Sequence, residues 1–129
     1  MDARIRMLLR VIDESGGRLS KTPEELGNLL GLGEARVLRL FSREMGKPLN
    51  RHLLEVRMAR AAQLVRNLAP IKTVASDCGY SVVSNFSRDF KRIHGISPTQ
   101  MRLRYMDIRA RAELSAFFNT KSGQSNAIE

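Results

Sequence analysis

Apolar residues recur with the period of an α-helix along most of this chain, and glycine and proline cut the pattern into segments. Ile5, Leu8, Leu9 and Ile12 fall at i, i+3, i+4 and i+7, which predicts a packing helix stopped by Ser15-Gly16-Gly17. Thr22-Pro23-Glu24-Glu25 then reads as a capping box. Threonine stands at the cap, proline at the first helical position and Glu25 three residues after the cap, so a helix should run to Leu30 and end at Gly31. The next helix spans about Glu34 to Met45, with Val37, Leu40 and Phe41 inward, and Gly46 and Pro48 close the unit. From about Leu49 to Leu68 there is neither glycine nor proline. Leu54, Met58, Ala61, Val65 and Leu68 trace one apolar stripe there, predicting a single helix of roughly 30 Å. A helix over Ile71 to Cys78, a turn at Gly79, a cap at Ser81 and a helix from Val82 to Ile93 with Phe86 and Phe90 inward follow. Ser97-Pro98-Thr99-Gln100 is a second capping box, starting a terminal helix through Met101, Leu103, Met106, Ile108 and Leu114 to Phe118. Residues 119–129 read as a disordered polar tail. The expected class is all-α, with seven helices in two helix-turn-helix subdomains joined by a long central helix.

The segmentation contains a repeat. Gly31 leads through Arg39 and Phe41 to Gly46 and Pro48, and Gly79 leads through Arg88 and Phe90 to Gly95 and Pro98. Each arginine precedes its phenylalanine by two residues, and each phenylalanine precedes its glycine by five. The helix before each turn also carries an aliphatic-small pair, Leu26-Gly27 and Val74-Ala75. Gly27 is a poor helix former, by roughly 1 kcal/mol relative to alanine, which predicts a close helix crossing there, with another backbone approaching the glycine. A glycine turn opening a short arginine-bearing helix, present twice, suggests paired readers of duplex DNA.

Charge strengthens that reading. The 129 residues carry 22 Lys+Arg against 13 Asp+Glu, a formal net charge of +9, as in chains that meet polyanions. Other chemistry finds little support. Cys78 is the single cysteine, so no intramolecular disulfide or cysteine-rich zinc site can form, and it reads as a small buried hydrophobe. His52 and His94 are isolated, and no phosphate loop, nucleophile constellation or metal cluster marks an enzyme or a cofactor site. With no apolar run of about 20 residues and no signal-peptide core, a soluble cytoplasmic protein with no membrane partner is expected. Phe41, Phe86 and Phe90 stand at helical spacing, which favours core packing over base stacking.

From Ile5 to Arg102 the sequence resembles the DNA-binding domain of AraC-type bacterial transcription regulators. The second unit carries most of the likeness, in Ile71-Lys-Thr-Val-Ala75, Gly79-Tyr80, Ser84-Asn-Phe-Ser-Arg88-Asp-Phe90-Lys-Arg and Gly95-Ile-Ser-Pro98. In the first unit Leu26-Gly27, Gly31, Arg39-Leu-Phe41 and Arg57-Met-Ala-Arg-Ala61 match. The resemblance implies a domain over residues 3–102. Its first helix-turn-helix covers about 22–45, its linking helix about 49–68 and its second motif about 71–93, followed by a C-terminal helix over 98–118. It also implies readout of adjacent major-groove segments of double-stranded promoter DNA. Departures are Gly33 where the family favours a capping serine, Ala35 and Leu38 where larger or polar readers are frequent, and His52 and Met101 where tyrosine is usual.

By position, the resemblance assigns base contact to Ala35, Leu38 and Arg39 in the first motif and to Val83, Ser84, Asn85 and Arg88 in the second. Arginine can donate two hydrogen bonds to guanine, asparagine can pair with adenine, and Val, Ala or Leu can only touch a thymine methyl. Arg36, Arg43, Lys72, Lys91 and Arg92 are candidates for the phosphate backbone, which positions without reading. Arg102, Arg104, Arg109 and Arg111 make a basic patch open to DNA flanks, RNA polymerase or water. A small-molecule effector could act only through a sensor domain that these residues do not contain. The competing class is a basic helical module that binds RNA or a protein.

Overall fold

The computed structural model describes the backbone of residues 1–128 and side chains through residue 119. It contains α1 (Ala3–Ser15), α2 (Pro23–Leu30), α3 (Glu34–Met45), α4 (Leu49–Arg66), α5 (Ile71–Asp77), α6 (Val83–His94) and α7 (Pro98–Ile128), with no strand among the described residues. The expected all-α class and the seven helices are what the chain forms.

Capping chemistry sets several boundaries. The Thr22 hydroxyl accepts from the Glu25 N–H at 3.2 Å, and the second box is reciprocal: the Gln100 N–H donates to Ser97 Oγ at 3.1 Å and the Ser97 N–H to Gln100 Oε1 at 2.9 Å. Several boundaries differ from expectation. Ser81 is not the cap of α6, because Val82, extended at φ −122°, occupies that place and offers no side-chain acceptor. The central helix stops at Arg66 rather than Leu68. Pro70 disfavours helical geometry at the residue before it, and the chain closes in a Schellman-type end, with Leu68 N–H donating to the Val65 carbonyl and Ala69 N–H to the Leu64 carbonyl. Leu68 sits at φ 64°, the left-handed region usually given to glycine. Arg102 braces this turn by donating from Nη1 to the carbonyls of both Leu68 and Ala69, each at 2.6 Å. At the other end of the chain, α7 continues beyond Phe118 to Ile128 where a disordered tail was expected. Residues 119–128 hold no proline and one glycine, so nothing in that stretch forces a stop.

Two apolar cores flank α4. Ile5, Leu8, Ile12, Leu26, Leu32, Val37, Phe41 and Leu49 make the first. Met58, Ala61, Ala62, Val65, Val74, Ala75, Cys78, Phe86, Phe90 and Met101 make the second. The central helix therefore lends its N-terminal half, through Leu49, Leu53 and Val56, to one unit and its C-terminal half to the other. Polar ties cross the junction as well: Arg18 donates to the Asp77 carbonyl at 2.9 Å and Arg57 to the Gly17 carbonyl at 3.3 Å.

Gly27 shows how tightly the first unit is folded. A Cβ there would lie 2.5 Å from the Leu32 carbonyl oxygen, with Gly33 and Glu34 backbone atoms close behind. The approaching backbone is the turn between α2 and α3 rather than a crossing helix, and the Leu32 N–H returns a 2.7 Å hydrogen bond to the Gly27 carbonyl. Cys78 is buried, and that burial pushes its thiol above the ordinary range, leaving it in the role of a small hydrophobe.

Candidate nucleic-acid interface

The repeat seen in the sequence is a repeat in space. With Gly33 and Val82 as the capping residues of α3 and α6, Val37 and Phe86 are buried at equivalent positions, and so are Phe41 and Phe90. Arg39 matches Arg88 and Arg43 matches Arg92, all exposed, while Leu38 and Ser87 are both half-buried. The phenylalanine two residues after each arginine anchors its helix in the core, so each arginine is held on the opposite, solvent side. The turns before the helices differ by one residue. Gly31 and Gly79 both take positive φ, at 72° and 90°, but Leu32-Gly33 follows the first and Tyr80-Ser81-Val82 follows the second.

In the second motif the first turn of α6 presents Val83, Ser84 and Asn85 to solvent, and Arg88 follows one turn later on the exposed side. Val82 and Val83 are 47% and 39% exposed, so their methyl groups are accessible at the start of α6. The Arg88 side chain is 73% exposed and its nearest carboxylate, Asp89, is 3.9 Å away. That carboxylate is already engaged, because the Tyr80 hydroxyl donates to its other oxygen at 2.6 Å. Burial, then the bond to Asp89, raises the Tyr80 hydroxyl above its ordinary range, so it keeps its proton and remains the donor. Arg88 is left with an essentially uncommitted guanidinium. Lys91 and Arg92 stand exposed in the last turn, where positive charge also suits the helix dipole, and Lys72 is exposed on α5.

The first motif is built differently. Gly33 supplies no side-chain cap, and Glu34 puts a negative charge in the first turn of α3. Ala35 and Arg39 are exposed, but Leu38 packs partly against the first core, which divides it between packing and solvent. Counting from the caps, Arg36 stands where Asn85 stands in the second motif, so it shares the geometry of a base-facing residue as well as the backbone role expected for it. Arg36, Arg39 and Arg43 line an open cleft of about 200 Å³ with Leu32, Leu40 and Arg4 of α1. Arg4 was not singled out from sequence, since nothing in the repeat includes α1. It donates from Nε and Nη2 to both oxygens of Asp2, and chiefly this pairing lowers the Asp2 carboxyl to about 2. Arg102 differs from the other arginines of the expected basic patch, because Nη1 of its guanidinium is bonded to the Leu68 and Ala69 carbonyls.

Among the described residues there is no cluster of three or more His, Cys, Asp or Glu arranged to hold a metal, and no helix is long and apolar enough to cross a membrane.

Two glycine-turn helix pairs, each presenting a basic, core-anchored second helix on a shared central helix, define a double helix-turn-helix protein of the all-α class. The chain belongs to the AraC-type helix-turn-helix family: residues 26–104 match the family model described as a helix-turn-helix domain. It is 35% identical over 77 residues to the "Probable transcriptional regulator LumQ" of Photobacterium leiognathi, a match that covers 59% of this chain and 31% of LumQ. It is 32% identical over 76 residues to the "HTH-type transcriptional activator RhaR" of Mannheimia succiniciproducens, covering 58% of this chain and 28% of that protein. The chain thus spans about a third of the length of these relatives. Among solved structures, the C-terminal domain of AraT, a response regulator from Geobacillus stearothermophilus, superposes with a TM-score of 0.72 at 27% identity, covering 80% of this chain and 86% of that domain. Family and fold are those of transcription regulators rather than of enzymes.

Proposed function

We propose that this chain is the DNA-reading module of a transcription regulator, and that α3 and α6 enter adjacent major-groove segments of promoter DNA from one face. The observation that carries this reading is the matched register of the two helices, which holds an arginine at the same exposed place on each, Arg39 and Arg88. Val83, Ser84, Asn85 and Arg88 form the richer reading head, with two donors capable of bidentate base contact and two apolar or small side chains for a thymine methyl. Ala35, Arg36, Arg39 and the exposed part of Leu38 form the poorer one. Arg43, Lys72, Lys91 and Arg92 hold phosphates. The module itself needs no cofactor and performs no catalysis. It would act in the cytoplasm, meet RNA polymerase only where promoter geometry brings the two together, and answer a small molecule only through a separate sensor domain.

Selection of sites from a random duplex library, followed by measurement on the selected site, tests this. Arg88→Ala should cost about 1–3 kcal/mol there and relax preference at one base position, whereas Lys91→Ala should weaken selected and random duplexes alike. Failure to enrich any site, with equal losses for both variants on all duplexes, would reduce the module to a non-specific polyanion binder.

A further inference from the structure

The outer face of α7 carries apolar side chains that nothing in the fold covers. Leu103 is 59% exposed, Met106 45%, Leu114 57% and Phe117 61%, and Ala110 between them is exposed too. At 100° per residue these five positions fall within an arc of about 80°. Buried Met101 and half-buried Tyr105, which face the second core, lie on the opposite side of the helix. The spacing of three, four, four and three residues therefore marks a seam, and it leads away from the body rather than into it.

We propose that this seam pairs with the same seam of a second copy, the two α7 helices running antiparallel around Ala110. The sequence is symmetric about that residue in a way that only the antiparallel order uses. Leu103 then meets the partner copy's Phe117, Met106 meets Leu114, and Ala110 meets Ala110, whose small side chain permits close approach at the two-fold axis. Charge agrees on both flanks. Like flanks meet in an antiparallel pair, and a two-residue offset at 1.5 Å rise leaves about 3 Å of axial separation. Arg109 on one side comes level with Glu113 of the second copy, and Asp107 on the other with Arg111. Asp107 and Arg111 already form an ion pair within one helix, at 3.2 Å. A parallel pair would instead set each seam residue against its own copy, Leu103 on Leu103 and Phe117 on Phe117, and would leave the symmetry about Ala110 unused. The seam is short, so the interface lies at the small end of the range for specific association, and a concentration-dependent dimer is the expected form.

Sedimentation equilibrium on the 129-residue chain, from about 5 µM to about 500 µM to bracket a weak interface, tests the proposal. The average mass should climb from 14.6 kDa toward twice that value. Leu114→Glu, on an exposed position, should raise the dissociation constant at least tenfold with unchanged far-UV circular dichroism. Arg109→Glu should weaken the dimer, and Arg109→Glu combined with Glu113→Arg should restore it. For orientation, a mixture of Leu103→Cys and Phe117→Cys chains should cross-link under oxidised glutathione, while Leu103→Cys alone should not. A mass of 14.6 kDa at every concentration would overturn the proposal. So would a dimer indifferent to Leu114→Glu, a double charge exchange that fails to restore association, or efficient cross-linking of Leu103→Cys with itself.

Discussion

Replacing Gly27 with alanine sets two effects against each other whose signs differ. Helix propensity favours alanine in the middle of α2 by roughly 1 kcal/mol. Packing opposes it, because the new Cβ would stand 2.5 Å from the Leu32 carbonyl oxygen. Ordinary contact needs nearly 1 Å more, and the obstacle is backbone held by its own 2.7 Å hydrogen bond to the Gly27 carbonyl. No side chain can swing away. Overpacking of this kind costs about 1–3 kcal/mol and more where the neighbour is fixed, so a net loss of about 2 kcal/mol is expected. Urea denaturation should show the midpoint falling by roughly 1 M at unchanged slope. Ala59→Gly, on an exposed position of α4, calibrates propensity in the same protein and should cost about 1 kcal/mol. Since the turn over Leu32 and Gly33 sets where α3 begins, the residual folded protein should also bind its first half-site less well. A Gly27→Ala protein more stable than the parent would refute the close-approach argument.

Arg102→Met, which keeps the apolar stem but strands the Leu68 and Ala69 carbonyls, should lower stability by about 1–3 kcal/mol without changing affinity for the selected duplex, read by denaturation and titration side by side. His52 packs beside Phe41 with neither ring nitrogen hydrogen-bonded, and burial is the first cause that depresses its pKa below 6.5. The unfolded chain therefore takes up this proton first, so stability should decline as pH falls through 6.5, and His52→Phe should flatten that part of the profile measured by urea midpoints between pH 7.5 and lower values. Affinity for the selected duplex should fall linearly with salt on logarithmic axes, with a slope of roughly 0.9 per phosphate engaged; a nearly flat dependence would contradict the phosphate contacts of Arg43, Lys72, Lys91 and Arg92.

Much of this was legible before any coordinates. Local chemistry announced itself wherever one residue type dominates a decision: Thr22 and Ser97 as caps, Gly31 and Gly79 as turns, Phe41 and Phe90 as anchors. The end of α4 was not legible, because Leu68 in a left-handed conformation depends on a brace from Arg102, 34 residues further on, and sequence periodicity carries no such information. Ser81 misled for a related reason: a good capping residue one place early loses to the geometry of the turn. Arg4 entered the cleft beside α3 only through the packing of α1, and the equivalence of Arg36 with Asn85 emerged only when the two helices were counted from their actual caps.

The central claim is that one chain reads DNA twice, and helical phasing measures this most directly. On the selected duplex, footprinting should protect two half-elements about 10 to 10.5 base pairs apart on one face. They need not be palindromic, since Ala35, Arg36, Leu38 and Arg39 offer different chemistry from Val83, Ser84, Asn85 and Arg88. Inserting five base pairs between the half-elements turns one of them by about half a helical turn, and affinity should collapse toward the non-specific level. Unchanged affinity after the insertion, with a single groove protected, would contradict the account and leave α6 as the only reader.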